Sequence, residues 1–156
     1  MFKVLMVCTG NICRSPMAAS FLSQMLTNDL KHKVSVNSAG THAIYGYPAE
    51  PFACQAAEYF GCNIEVHRSQ TLSKEMVKTS DLVLVMEPRQ IAMIKNAFLF
   101  GKVSVKLLSD FDPDRNLKEI KDPYGKPLDV YLQCASEIVT CLEVVLLYLR
   151  RKLNGV

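Results

Sequence analysis

The chain has 156 residues, 49% of them apolar and 21% charged, which is enough for one hydrophobic core and too little for two. A net charge of +3 is too mild to argue for nucleic acid, although it suits a small anionic substrate. No uninterrupted apolar run approaches the roughly 18 residues a membrane span needs, and Lys3 followed by a short apolar run before Thr9 makes a poor export signal. The expectation is a single cytoplasmic domain over residues 1–156 that binds neither nucleic acid nor membrane. Six cysteines contain no Cys-x-x-Cys pair, and the histidines (His32, His42, His67) are scattered. Free thiols in a reducing compartment, with no metal and no cofactor, are the simplest account.

In chain order, residues 2–7 are a short apolar run that reads as a strand. Ser15 and Pro16 then open a helix with Met17, Phe21, Leu22 and Met25 or Leu26 on one face. Residues 33–38 alternate around Val34 and Val36, the period of a strand. Residues 51–60 read as a helix closed by Gly61, and 73–79 as a short helix with Glu75 near its start. Residues 82–86 are continuously apolar, as in a strand buried on both faces. Helix is expected over 89–98, a fourth strand over 103–108, and loop over the aspartates, prolines and glycine of 110–127. A long amphipathic helix follows from Leu128 or Asp129 to Leu153, its stripe formed by Val130, Cys134, Ile138, Cys141, Val145 and Tyr148 or Leu149. This alternation predicts an α/β three-layer sandwich: a central, mostly four-stranded parallel sheet with helices on both faces.

Ligands of such sheets bind beyond the carboxyl ends of the strands. The segment leaving the first strand at that edge is Cys8-Thr9-Gly10-Asn11-Ile12-Cys13-Arg14-Ser15-Pro16. A cysteine at a strand end, five loop residues, then an arginine at a helix start describe a cradle for an oxyanion such as phosphate. Backbone N–H groups of the loop can converge on a tetrahedral anion, and the helix N-terminus adds positive potential. The same field favours a thiolate nucleophile. Arg14 offers a planar fork for two phosphoryl oxygens. Gly10 and Asn11 are residue types that tolerate left-handed backbone, which a loop turning its N–H groups inward needs. An isolated Cys-x5-Arg arises often by chance; the strand before it and the Ser-Pro helix start after it give this one its weight.

The loop resembles the phosphate-binding loop of the low-molecular-weight protein tyrosine phosphatases. Ser38-Ala39-Gly40-Thr41, Gly61 followed by His67-Arg68-Ser69, the apolar run to Met86, and Asp122-Pro123-Tyr124-Gly125 occur in that family's order and spacing. The resemblance implies an enzyme acting on phosphotyrosine proteins and small aryl phosphates through a cysteinyl-phosphate. Cys8 would be the nucleophile, Arg14 the phosphoryl-binding residue and Asp122 the general acid and base. Ser15 would stabilise the thiolate, and Asn11, assisted by Ser38 and His67, would hold the loop. Tyr124, with Tyr45 or Tyr47, would wall the substrate cleft.

Asp122 also suits the chemistry unaided, since a carboxylic acid on a mobile loop can protonate a leaving phenolate. An Asp before proline is nevertheless more often a turn former, and Asp112-Pro113 repeats the dipeptide. The resemblance favours Asp122, because the adjacent Tyr124-Gly125 completes the family motif. Cys13 could capture an oxidised Cys8 as a disulfide, or simply pack behind the loop. Family members often carry a large aromatic residue shortly after the Ser-Ala-Gly-Thr motif, where this chain has Ala43-Ile44-Tyr45-Gly46-Tyr47. Gln70-Thr71 replaces the usual Arg-Gln. Phosphoarginine phosphatases of the family tend to have threonine where Ile12 stands, and arsenate reductases of this fold need cysteines near the third strand that residues 82–89 lack. A non-catalytic phosphate-binding module would keep the loop and could dispense with Asp122.

Overall fold

The computed structural model describes residues 1–98 and 103–155. Four parallel strands, β1 (Phe2–Cys8), β2 (Val34–Gly40), β3 (Leu82–Val85) and β4 (Ser104–Leu107), form one sheet in the order β2-β1-β3-β4. Between and after them run α1 (Arg14–Met25), α2 (Pro51–Tyr59), the single-turn α3 (Lys74–Lys78), α4 (Pro88–Phe98) and α5 (Leu128–Asn154). The expected α/β three-layer arrangement is the one observed. A 3-10 turn over Leu108–Phe111 follows β4 directly, where the sequence suggested irregular loop from residue 110.

The pleat divides the core in two. Val4, Met6 and Cys8 of β1 and Leu82, Leu84 and Met86 of the β3 segment face a large cluster with α1, α2 and α5. Leu5, Val7, Val83 and Val85 point the other way, onto Val77 of α3 and Ile94 of α4. Successive side chains of a strand alternate between faces, so a strand apolar at every position is what a sheet covered on both sides requires.

Local signals set the boundaries. The Ser73 hydroxyl accepts the Met76 N–H and caps α3. Gly61, at φ +83°, ends α2 with its N–H on the Glu58 carbonyl, while the Cys62 N–H reaches Ala57. This is the paired bonding of a left-handed helix stop. In α5 the stripe is Tyr131, Cys134, Ala135, Ile138, Cys141, Leu142, Val145 and Leu149. Val130, expected in it, is exposed, and Tyr131 is buried instead. Both lie about one turn before Cys134; the tyrosine wins because its ring stacks edge-on against Phe52 at 5.7 Å. By length and composition α5 is the one helix among the described residues that passes for a membrane span, although Glu137 and Glu143 interrupt it. Its apolar stripe lies in the core cluster.

The strands end level. Cys8 pairs with Gly40, and Val7 with Val85, which pairs with Leu107. All four carboxyl ends therefore open on one edge, where the loop after Cys8 lies.

Candidate active site

Asn11 organises the loop. It is fully buried with φ at +56°, a conformation unfavourable to most side chains. Every polar atom it has is engaged. Its N–H donates to Cys8 Sγ (3.3 Å), and its Nδ2 donates to Ser15 Oγ (2.8 Å) and Ser38 Oγ (3.0 Å). Its Oδ1 accepts the Gln70 N–H (2.9 Å), and its carbonyl accepts from His67 Nε2 (2.7 Å). Burial lowers the His67 pKa, so the ring is neutral with its proton on Nε2. Gly10 does not use the left-handed region. A Cβ there would make only an ordinary contact, 3.5 Å to Ile12 Cγ1.

Cys8 Sγ lies 2.9 Å from Ser15 Oγ. Because the Ser15 oxygen already accepts from Asn11, its hydrogen is free to point at sulfur. The strand beside the loop is equally constrained. A Cβ on Gly40 would stand 2.6 Å from the Thr9 carbonyl oxygen and 3.0 Å from the Asn11 nitrogen. Gly40 therefore lets β2 approach the loop, with Thr41 N–H on the Cys8 carbonyl and His42 N–H on that of Thr9. Ser38 is thus joined in its support of the loop by two neighbours, Gly40 and Gln70, whose parts the sequence did not distinguish.

Arg14 opens α1 with a side chain only 2% exposed. Nη1 donates to the Ile120 carbonyl (2.8 Å) and lies 3.3 Å from Glu87 Oε1; Nη2 lies 3.5 Å from Asp122 Oδ2. The Ile120 N–H in turn donates to the Met86 carbonyl (2.9 Å), and the Cys134 thiol approaches the Lys121 carbonyl. The stem of the Asp122 loop is thereby tethered to the guanidinium it faces. Glu87 also meets Arg89, and Gln90, buried on α4, accepts the N–H groups of Met86 and Glu87 while its Nε2 reaches Thr9 Oγ1 (3.2 Å). The sequence reading missed Glu87 and Gln90. The available signal was their place just past the carboxyl end of an apolar strand.

A cavity of about 200 Å³ is lined by Cys8, Thr9, Gly10, Ile12, Cys13, Arg14, Asp122 and Tyr124. Of the three expected wall residues Tyr124 lines this cavity; Tyr45 and Tyr47 are solvent-exposed and are not among its lining residues. Asp112 is also absent from the lining. Cys13 is buried, its sulfur 3.5 Å from the Tyr131 hydroxyl, and burial pushes its pKa up to about 12. It is a packed thiol at neutral pH. Among the described residues no cluster of three metal-ligating side chains occurs.

A cavity lined by a buried cysteine and a buried arginine from one strand-to-helix loop, at the carboxyl edge of a parallel sheet, defines a class of cysteine-dependent phosphate-handling proteins. The profile of the family described as "Low molecular weight phosphotyrosine protein phosphatase" matches residues 3–154, and the chain belongs to that family. It is 40% identical over 135 residues to the probable low molecular weight protein-tyrosine-phosphatase EpsP of Ralstonia nicotianae, covering 86% of this chain and 87% of that one. The YwlE arginine phosphatase from Geobacillus stearothermophilus superposes with a TM-score of 0.88 at 32% identity, over 99% of this chain and 97% of that one. A Cys-to-Ser mutant of the YwlE arginine phosphatase with a phosphorylated active site serine gives 0.86 at 27% identity, over 98% and 99%.

Proposed function

We propose that the chain is a single-domain, cytoplasmic protein-tyrosine phosphatase that hydrolyses phosphotyrosine proteins and small aryl phosphates by way of a cysteinyl-phosphate. The observation that carries this reading is the meeting of Cys8, Arg14 and Asp122 in one cavity. Cys8 Sγ attacks phosphorus, the phosphorus–oxygen bond breaks, and the Asp122 carboxylic acid gives its proton to the departing phenolate. Asp122, now a carboxylate, takes a proton from water as that water attacks phosphorus. Phosphate leaves and the thiolate is restored. Splitting the hydrolysis in two is the gain from a covalent nucleophile. Arg14 and the loop N–H groups bind the equatorial oxygens most strongly as charge shifts in the transition state. The phosphorylated serine of the YwlE mutant supports the Cys8 role.

The test is phosphate release from p-nitrophenyl phosphate in EDTA. The parent should turn over, and Cys8→Ser should lose at least about 10⁴-fold, as expected for removal of a nucleophile. Substantial residual turnover in Cys8→Ser would refute the assignment.

A second reading, phosphoarginine hydrolysis, draws on the likeness to the arginine phosphatase. Ile12 weighs against it, because a branched apolar side chain in the cavity wall offers packing to an aryl ring and no hydrogen bond to a guanidinium. Side-by-side assays decide. The tyrosine reading expects kcat/KM for phosphotyrosine at least about tenfold above that for phosphoarginine; the reverse order establishes the second.

A further inference from the structure

Glu87 answers two arginines with one carboxylate. Its Oε1 faces the buried Arg14, and its Oε2 accepts from Arg89 Nε at 3.0 Å and lies 3.0 Å from Arg89 Nη2. Arg89 Nη2 also donates to Thr9 Oγ1 at 3.4 Å, and Thr9 lines the cavity. A surface arginine ordinarily sweeps through solvent. This one is fixed at the mouth of the cavity while its side chain stays 68% exposed. Its Nη1 has no partner among the described residues, so that one nitrogen keeps two N–H donors on a side chain that is mostly exposed. Glu87 divides its carboxylate between Arg89 and the buried Arg14, so the exposed Nη1 of Arg89 keeps a charged donor that can meet one oxygen of a further carboxylate.

We propose that Arg89 is a specificity-determining residue that selects phosphotyrosine flanked, within one or two positions, by an acidic side chain. The proposal rests on the phosphatase reading above. With the phosphoryl group seated at the loop, the peptide backbone crosses the rim, and a neighbouring aspartate or glutamate side chain reaches back to Nη1. An exposed ion pair of this kind shifts binding modestly, by about two- to five-fold, and is screened by salt.

The experiment compares kcat/KM for matched phosphotyrosine peptides carrying Asp and Glu, or Asn and Gln, at the two positions on each side, with p-nitrophenyl phosphate alongside. Wild type should prefer the acidic peptide about two- to five-fold through KM, with the preference shrinking in roughly 0.5 M salt. The acidic-to-neutral ratio should fall close to one in Arg89→Ala, survive in part in Arg89→Lys and invert in Arg89→Glu. No preference in wild type, or an Arg89→Ala variant that slows both peptides equally, would overturn the proposal and make Arg89 a brace for Thr9 and Glu87. Either result with vigorous wild-type turnover leaves the phosphatase reading standing. Failure of wild type to hydrolyse any aryl phosphate removes both.

Discussion

Two Asp-Pro dipeptides lie ten positions apart, Asp112-Pro113 and Asp122-Pro123, and the fold gives them opposite surroundings. Asp112 is buried and accepts three backbone N–H groups, from Leu117 (2.9 Å), Asn116 (2.8 Å) and Asp114 (3.2 Å). Those bonds, Leu117's foremost, hold its carboxyl below the usual range. Among the described residues Asp122 accepts one backbone N–H, that of Tyr124 (3.1 Å); its side chain is 43% exposed and pairs with Arg14 Nη2 at 3.5 Å. A carboxylate wrapped in N–H donors is locked in its ionised form and organises a turn. One with a single N–H donor and an open side, lining the cavity, is placed to meet a bound substrate. What separates the two is the number of N–H groups each must satisfy.

Substitutions at both positions and behind the loop can break or sharpen that contrast. Asp122→Asn should cost the most, roughly 10²–10⁴-fold in phosphotyrosine kcat/KM, the usual worth of general acid assistance. Gly40→Ala comes next. Its added carbon collides with the Thr9 carbonyl and Asn11 nitrogen, so the loop must shift; a displacement of that order costs up to about 10²-fold. Steady-state kinetics on the folded variant, checked by circular dichroism, measures it. Asp112→Asn should leave activity within about threefold of wild type and lower the unfolding midpoint by a few degrees. Asparagine has one acceptor oxygen in place of two, and it brings donors to a site already full of them. The pH dependence has a definite sign. A carboxyl with a lowered folded pKa contributes stability above its unfolded value of about 3.9 and loses it as pH falls through the folded value. The gap in midpoint between wild type and Asp112→Asn should therefore be full at neutral pH and close below about pH 4.

Periodicity reads well where one face is buried, and it placed the strands and helices to within a residue or two. It failed at Val130 because the first turn of α5 is chosen by a long-range stacking partner, Phe52, that no local pattern encodes. The loop from Cys8 to Ser15 was legible because its chemistry is contiguous. Asn11 was singled out for tolerating a left-handed backbone, which it adopts. Its partners Ser38, His67 and Gln70 lie 27, 56 and 59 positions away, and only Ser38 and His67 were reached, through a family resemblance. Glu87 and Gln90 escaped because a polar residue at the start of a surface helix looks ordinary until the buried Arg14 and Thr9 are seen beside it. Tyr45 and Tyr47 were assigned to the cleft through the family resemblance, and neither is among the residues that line the cavity.

The central claim, that Asp122 and not Asp112 supplies the proton, is tested most directly by leaving-group dependence. kcat/KM reports the steps through formation of the cysteinyl-phosphate, so it is read across aryl phosphates whose phenols range from acidic nitrophenols to tyrosine, with a pKa of about 10. Asp122→Asn should make the rate fall steeply as the phenol becomes more basic, while wild type and Asp112→Asn stay nearly flat. A steep dependence in Asp112→Asn with a flat one in Asp122→Asn would contradict the account.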